Sequence, residues 1–209
     1  MPSLFYYKKG IYVTFKIIRK FNFKITIFNL KREKGINIRK IIIGVMGGGE
    51  IVNAGDYEDA RCLGGLIAKE GWILLNGGRA SGIMEASARG AKENSGLTIG
   101  ILPGNDPAWA SEYIDIPILT GIGFARNYIN VLTSEVVVAL HGRTGTISEI
   151  ALALNIGKKV ISLNFDLGPL FKNYEEEKQL IYVKQPEEVI SLIKRILRSD
   201  FDKGVGKYV

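Results

Sequence analysis

Val136-Val137-Val138-Ala139-Leu140 runs without interruption into His141-Gly142-Arg143-Thr144-Gly145-Thr146-Ile147-Ser148-Glu149. The apolar, largely β-branched run reads as a buried strand, the residues around Gly142 as a turn, and the segment from Thr144 as a helix. Backbone N–H groups in the first turn of a helix have no acceptor within it, and the helix dipole adds positive charge there. An anion such as phosphate is held well at such a place. Glu149 follows in the first turns of the same helix, so a carboxylate is brought near whatever the phosphate belongs to.

Working outward, the same alternation recurs. Ile41 to Met46 reads as a first strand ending in Gly47-Gly48-Gly49, and Asp56 to Glu70 as a helix. Trp72 to Leu75 is a second strand closed by Asn76-Gly77-Gly78, followed by a helix over Gly82 to Asn94 and a strand over Leu97 to Leu102. A loop carrying Trp109 and Tyr113 leads to a helix over Phe124 to Ser134. Beyond the opening stretch, Thr144 to Asn155 is helix, Lys159 to Leu163 strand, and Pro186 to Arg198 a closing helix. Short apolar strands alternating with helices predict an α/β fold: a three-layer, Rossmann-like, doubly wound and mostly parallel sheet with helices on both faces. Ligands in such sheets bind beyond the carboxyl ends of the strands. Three of those ends are glycine-rich here, at 47–49, 77–82 and 142–145.

The chain has 209 residues, 46% of them hydrophobic and 23% charged, with a net charge of +7. That charge is local. Up to position 40 there are 11 basic residues against one acid, and beyond it 17 basic against 20 acidic. Residues 1–38 are therefore set apart as a basic extension, and 39–209 as a single ligand-binding domain. The extension has three readings: a start placed too far upstream, an amphipathic β-hairpin, or a basic arm for nucleic acid or anionic membrane, the last ranked lowest. No apolar run in it reaches the length of a membrane span. The single cysteine, Cys62, excludes an internal disulfide framework, fits a cytoplasmic protein, and reads as core filler.

Several chemistries are excluded by pattern. No Gly-x-x-x-x-Gly-Lys-Ser/Thr loop is present, and the segment Gly47 to Val52 lacks the third glycine of a dinucleotide fingerprint. One histidine and one cysteine make no zinc set. His141 has no serine in a Gly-x-Ser-x-Gly elbow to serve.

The linked motifs carry a resemblance. Asn76 to Ala86 (NGGRASGIMEA), Gly90-Ala91, Thr98 to Gly104 (TIGILPG), Asp115-Ile116-Pro117, Thr120 to Asn127 (TGIGFARN) and Gly142-x-x-Gly145-Thr146-x-x-Glu149-Ile150 resemble the molybdenum-cofactor carrier-like family of Rossmann-like proteins. More widely they resemble the LOG phosphoribohydrolases, often mislabelled lysine decarboxylases. Lysine decarboxylation needs a pyridoxal-binding lysine, and none lies in the three glycine loops.

The resemblance implies a phosphate loop at Gly142, Arg143, Thr144, Gly145 and Thr146, and a ligand floor from Gly47, Gly48, Gly77, Gly78, Arg79, Gly82 and Met84. It also carries the phosphoribohydrolases' arginine and glutamate onto Arg126 and Glu149 as catalytic candidates. Two departures stand out. The family's Pro-Gly-Gly is His141-Gly142-Arg143, so Arg143 either adds a contact to a larger anion or fills the phosphate space. A lysine after the arginine is replaced by Asn127. Two functions follow. The first is a carrier or sensor of a phosphorylated, nucleotide-like ligand, either a nucleoside monophosphate or a molybdopterin-type pterin, with no required cofactor and no metal site. The second is a phosphoribohydrolase releasing free base and ribose 5-phosphate. Relatives associate through helices, which implies a homodimer or larger homo-oligomer.

Overall fold

A computed structural model of the protein describes residues 4–8, 11–15, 40–50 and 54–202. The chain divides into two units, Met1–Arg39 and Lys40–Val209. In the first, strand β1 (Leu4–Lys8) pairs antiparallel with β2 (Ile11–Phe15). The three readings of residues 1–38 otherwise fall outside the described residues.

The second unit holds a seven-stranded sheet. Its strands are β3 (Ile42–Met46), β4 (Ile73–Asn76), β5 (Thr98–Leu102), β6 (Ile116–Leu119), β7 (Val136–Ala139), β8 (Val160–Leu163) and β9 (Leu180–Val183). Every pairing among them is parallel, in the order β6-β5-β4-β3-β7-β8-β9. Starting from central β3, the chain winds outward to β6, crosses back to β7 beside β3, then winds the other way to β9. The winding reverses between β3 and β7, where Met46 pairs with Ala139. Doubly wound sheets bind ligands in the crevice beyond that point.

Side-chain alternation along the strands separates two cores. Ile43, Val45, Val136 and Val138 face Leu63 and Ile67 of α1 (Ala54–Lys69), Ile83 of α2 (Gly82–Glu93), and Val189 and Ile193 of α6 (Pro186–Asp202). Met46, Val137 and Ala139 face Val131 of α3 (Arg126–Thr133) and Ile150 and Leu154 of α4 (Thr144–Asn155). A short helix, α5 (Lys172–Glu176), precedes β9. The sheet with helices on both faces is the expected architecture, and its pairing is wholly rather than mostly parallel.

Two strands escape the sequence reading. β6 is an edge strand whose four residues are all exposed, so it carries no burial pattern, and β9 at the other edge is only half buried. The helix expected from Phe124 begins at Arg126, after a 3₁₀ turn over Gly123–Ala125. Cys62 is also misplaced by the sequence reading. It is exposed rather than core, because the buried stripe of α1 runs through Ala60, Leu63, Gly64 and Ile67 and leaves position 62 outside. Among the described residues, no helix is long and apolar enough to cross a membrane.

Candidate functional site

The loops that leave β3, β4 and β7 are locked together by their backbones. Gly48 N–H donates to the His141 carbonyl at 2.8 Å, and Ile83 N–H at the start of α2 donates to the Gly48 carbonyl at 2.9 Å. Contacts this close exclude side chains. A Cβ at Gly142 would lie 2.0 Å from Thr146 Oγ1 and 2.9 Å from Gly48 N, and one at Gly82 (φ +56°) would lie 2.3 Å from the Gly48 carbonyl oxygen. These loops surround a cleft of about 610 Å³, bordered by Gly47 to Glu50, Arg79, Ser81, Met84, Phe124, Arg126, Asn127, Gly142 to Thr146, and Glu149.

One wall is the start of α4. Its first intrahelical bond runs from Ile147 N–H to the Arg143 carbonyl at 3.0 Å, and Arg143 at the N-cap supplies no side-chain acceptor. The N–H groups of Thr144, Gly145 and Thr146 therefore have no partner within the helix and are available to an anion. A Cβ at Gly145 would meet nothing within 4 Å. Asn127 Nδ2 donates to the Gly145 carbonyl at 3.2 Å and to Ser148 Oγ at 2.8 Å, and Ser148 Oγ donates to the same carbonyl at 2.6 Å. The residue that stands where the phosphoribohydrolases carry lysine thus braces this turn.

Beneath that wall lie Arg126 and Glu149, 9% and 5% exposed. Arg126 Nη1 stands 3.8 Å from Glu149 Oε1, an ion pair too long for a hydrogen bond. Asn130 sits one helical turn beyond Arg126, and its Nδ2 donates to the same Glu149 oxygen at 2.6 Å. Burial pushes the Glu149 carboxyl up to about 7, against the opposing pull of Arg126 and Asn130. Burial lowers the Arg126 guanidinium; Glu149 offsets this and Arg79 adds to it. With its carboxyl raised by burial, Glu149 only partly balances the charge of Arg126 and Arg79. Among the described residues, Arg126 Nε and Nη1, the Ser81 hydroxyl and Asn130 Oδ1, all buried, have no hydrogen-bond partner. Buried groups of that kind mark a place where a partner belongs.

Gly47, Gly48, Arg79, Met84, Gly142, Arg143, Thr144, Gly145, Thr146, Arg126 and Glu149 are brought together around the cleft. Gly77, Gly78 and Gly82 are not on its border. Gly77 makes room for Arg126, since a Cβ there would stand 2.6 Å from both terminal guanidinium nitrogens. Gly78, at φ +76°, packs against Gly100 so closely that a Cβ there would stand 3.0 Å from the Gly100 Cα, and it donates its N–H to Asn76 Oδ1. The Arg143 side chain is 81% exposed and reaches Glu50 Oε2 at 2.8 Å, so it stands at the rim of the cleft. His141 is tied to α1, its Nδ1 2.7 Å from Asp56 Oδ1.

Sequence reasoning passed over four bordering or supporting residues: Glu50, Ser81, Phe124 and Asn130. Asn130 was findable from its spacing of four from Arg126, and Ser81 from its place inside the second glycine loop. Trp109 and Tyr113, on the loop that precedes the Phe124 helix in the sequence reading, lie off the cleft. Tyr113 packs instead under the Arg89 guanidinium, 6.0 Å from the ring centre.

Comparison with known proteins finds relatives of the same fold. The SLOG cluster4 family model matches residues 40–190. An uncharacterised protein of Archaeoglobus fulgidus is 47% identical over 121 residues, which make up 58% of this chain and 78% of that one. The structure of the molybdenum cofactor binding protein of the phototrophic bacterium Rippkaea orientalis is 50% identical with a TM-score of 0.73, matching 77% of this chain and 99% of that one. The molybdenum cofactor carrier protein of Chlamydomonas reinhardtii is 40% identical with a TM-score of 0.70, over 77% and 99%.

Proposed function

The chain belongs to the SLOG cluster4 family, and on that premise we propose that its cleft carries a phosphorylated, nucleotide-like ligand, a molybdopterin-type pterin or a nucleoside monophosphate. One observation carries this reading. The uncapped first turn of α4 faces a cleft that also borders a buried guanidinium with unpartnered nitrogens. The phosphate lies on the N–H groups of Thr144, Gly145 and Thr146. Arg126 supplies charge from below and Arg143 from the rim, in contacts stronger than those between neutral groups. The relatives named for binding or carrying the molybdenum cofactor support the pterin form of this reading. The residues fit such a cargo in charge and size, since 610 Å³ lies within the usual range of small-molecule sites.

A second reading rests on the Arg126–Glu149 pair. In a phosphoribohydrolase, water attacks the anomeric carbon as the N-glycosidic bond breaks, a proton passes from that water by way of a carboxylate to the departing ring nitrogen, and the ionised carboxylate stabilises the oxocarbenium-like state between. Glu149, with a pKa of about 7, is partly ionised at neutral pH. Titration with guanosine 5′-monophosphate and with guanosine, followed by assay for free guanine, separates the readings. Carriage predicts phosphate-dependent binding with the nucleotide recovered intact. Guanine released by the wild type and not by Glu149→Gln establishes the hydrolase instead. Equal binding of nucleotide and nucleoside removes the phosphate site itself.

Assembly of copies belongs to the same proposal. Ile116, Ile118 and Leu119 on β6, and Tyr128 and Leu132 on α3, are large apolar side chains left exposed, a composition suited to contact between copies. Sedimentation of the wild type is expected to show a mass above that of one chain, and Ile118→Lys to shift it toward the monomer. A monomeric wild type removes this part of the proposal.

A further inference from the structure

Phe124 is the aromatic residue on the border of the cleft, and its side chain rests on little of its own chain: it is 81% exposed. An apolar ring so exposed contributes almost nothing to folding, yet the backbone presents it by a built device. Gly121 and Gly123 adopt φ of +65° and +59°, conformations that favour glycine, and a Cβ at either would meet nothing within 4 Å. Their N–H groups donate to the carbonyls of Gly104 at 3.2 Å and Pro103 at 2.9 Å, which pins the turn to the end of β5. The 3₁₀ turn Gly123–Ala125 then runs directly into α3 at Arg126. The exposed ring and the buried guanidinium are thus two residues apart on one short turn, and both border the cleft.

We propose that Phe124 is the stacking platform for a planar heteroaromatic ring of the ligand, whose phosphate lies on the first turn of α4. The proposal rests on the phosphate site argued above and narrows its preferred ligand class to phosphate esters bearing such a ring, simple sugar phosphates being held more weakly by the phosphate site alone. A cleft of 610 Å³ holds far more than a phosphate. Stacking on an aromatic face is tolerant of ring identity, so purine and pterin both qualify.

The test compares guanosine 5′-monophosphate, whose base shares the 2-amino-4-oxopyrimidine ring of pterins, with ribose 5-phosphate, using calorimetry on the full chain. Phe124→Ala is expected to weaken the nucleotide about ten-fold or more and to leave ribose 5-phosphate within about two-fold. Phe124→Trp is expected to restore or tighten nucleotide binding. If both ligands weaken equally, or neither changes, Phe124 is not the platform although the phosphate site stands. If the wild type binds neither ligand, the phosphate site fails and this proposal with it. A change of oligomeric state in Phe124→Ala without loss of nucleotide affinity assigns the ring to contact between copies and overturns the proposal.

Discussion

Gly145→Val is expected to leave the protein folded and to lower its affinity for guanosine 5′-monophosphate by at least about 100-fold. The two halves of that result have different causes. A Cβ at position 145 meets nothing within 4 Å among the described residues, so the substitution clashes with none of them. Gly145 is not among the residues with positive φ and lies in the first turn of α4, where a β-carbon is tolerated. Replacing glycine there also restricts the unfolded chain, which stabilises by roughly 0.4–1 kcal/mol. The open space that makes the substitution harmless to the fold is the space assigned to the phosphate. Two valine methyl groups there hold the anion off the N–H groups. Losing two charge-assisted hydrogen bonds costs about 3 kcal/mol or more, which is the factor of about 100. Thermal melting and calorimetry on the same sample check both halves. A variant that binds as the wild type moves the phosphate to another part of the cleft. Gly142→Ala provides the contrast. Its Cβ would sit 2.0 Å from Thr146 Oγ1, so this neighbouring substitution deforms the turn and lowers stability along with binding.

What the sequence disclosed and what it hid follow from burial. The strands β3, β4, β7 and β8 are covered on both faces, so apolar runs mark them. Edge strand β6 is exposed along its length, and Ile116-Pro117-Ile118-Leu119 then reads as loop. Glycines that end strands were legible as a group, but their separate tasks were not. Gly145 opens onto the cleft, Gly142 lets two loops touch, Gly77 houses a guanidinium and Gly78 packs on a neighbouring strand. All four have the same letter. Telling them apart needs coordinates, because the reason lies in residues distant in sequence. Arg143 shows the same limit from the other side. Its exchange for a family glycine left two positions open, and the carboxylate of Glu50, on the loop after β3, holds it at the rim. Asn127, read as a departure from the phosphoribohydrolases' lysine, turns out to brace the first turn of α4 through Gly145 and Ser148.

Glu149→Gln is expected to make the protein more stable at alkaline pH and to change it little at acid pH. In the folded protein the carboxyl holds its proton up to about pH 7, because burial disfavours the charge, whereas a glutamate in the unfolded chain releases it near 4.5. Between those values the folded state binds more proton than the unfolded one. Stability from this group is therefore full below about 4.5, declines as pH rises, and is lost above about 7. A separation of that size corresponds to roughly 3 kcal/mol, at about 1.4 kcal/mol per unit. The amide keeps the shape of the side chain and has no charge to bury. Urea unfolding at pH 4 and pH 8.5 should thus show wild type and variant nearly equal at the first and the variant about 3 kcal/mol more stable at the second. Equal stability at both values places Glu149 in contact with solvent or in a tighter pair with Arg126 than the 3.8 Å separation allows. The same variant is expected to bind guanosine 5′-monophosphate with nearly wild-type affinity, since the phosphate contacts lie on the α4 backbone and the arginines. A protein that keeps a destabilising carboxylate it does not need for binding has a use for its charge or its proton. If Glu149→Gln gains stability and loses no function in carriage, that use lies with the ligand's release or with hydrolysis, and the assay for free guanine decides between them.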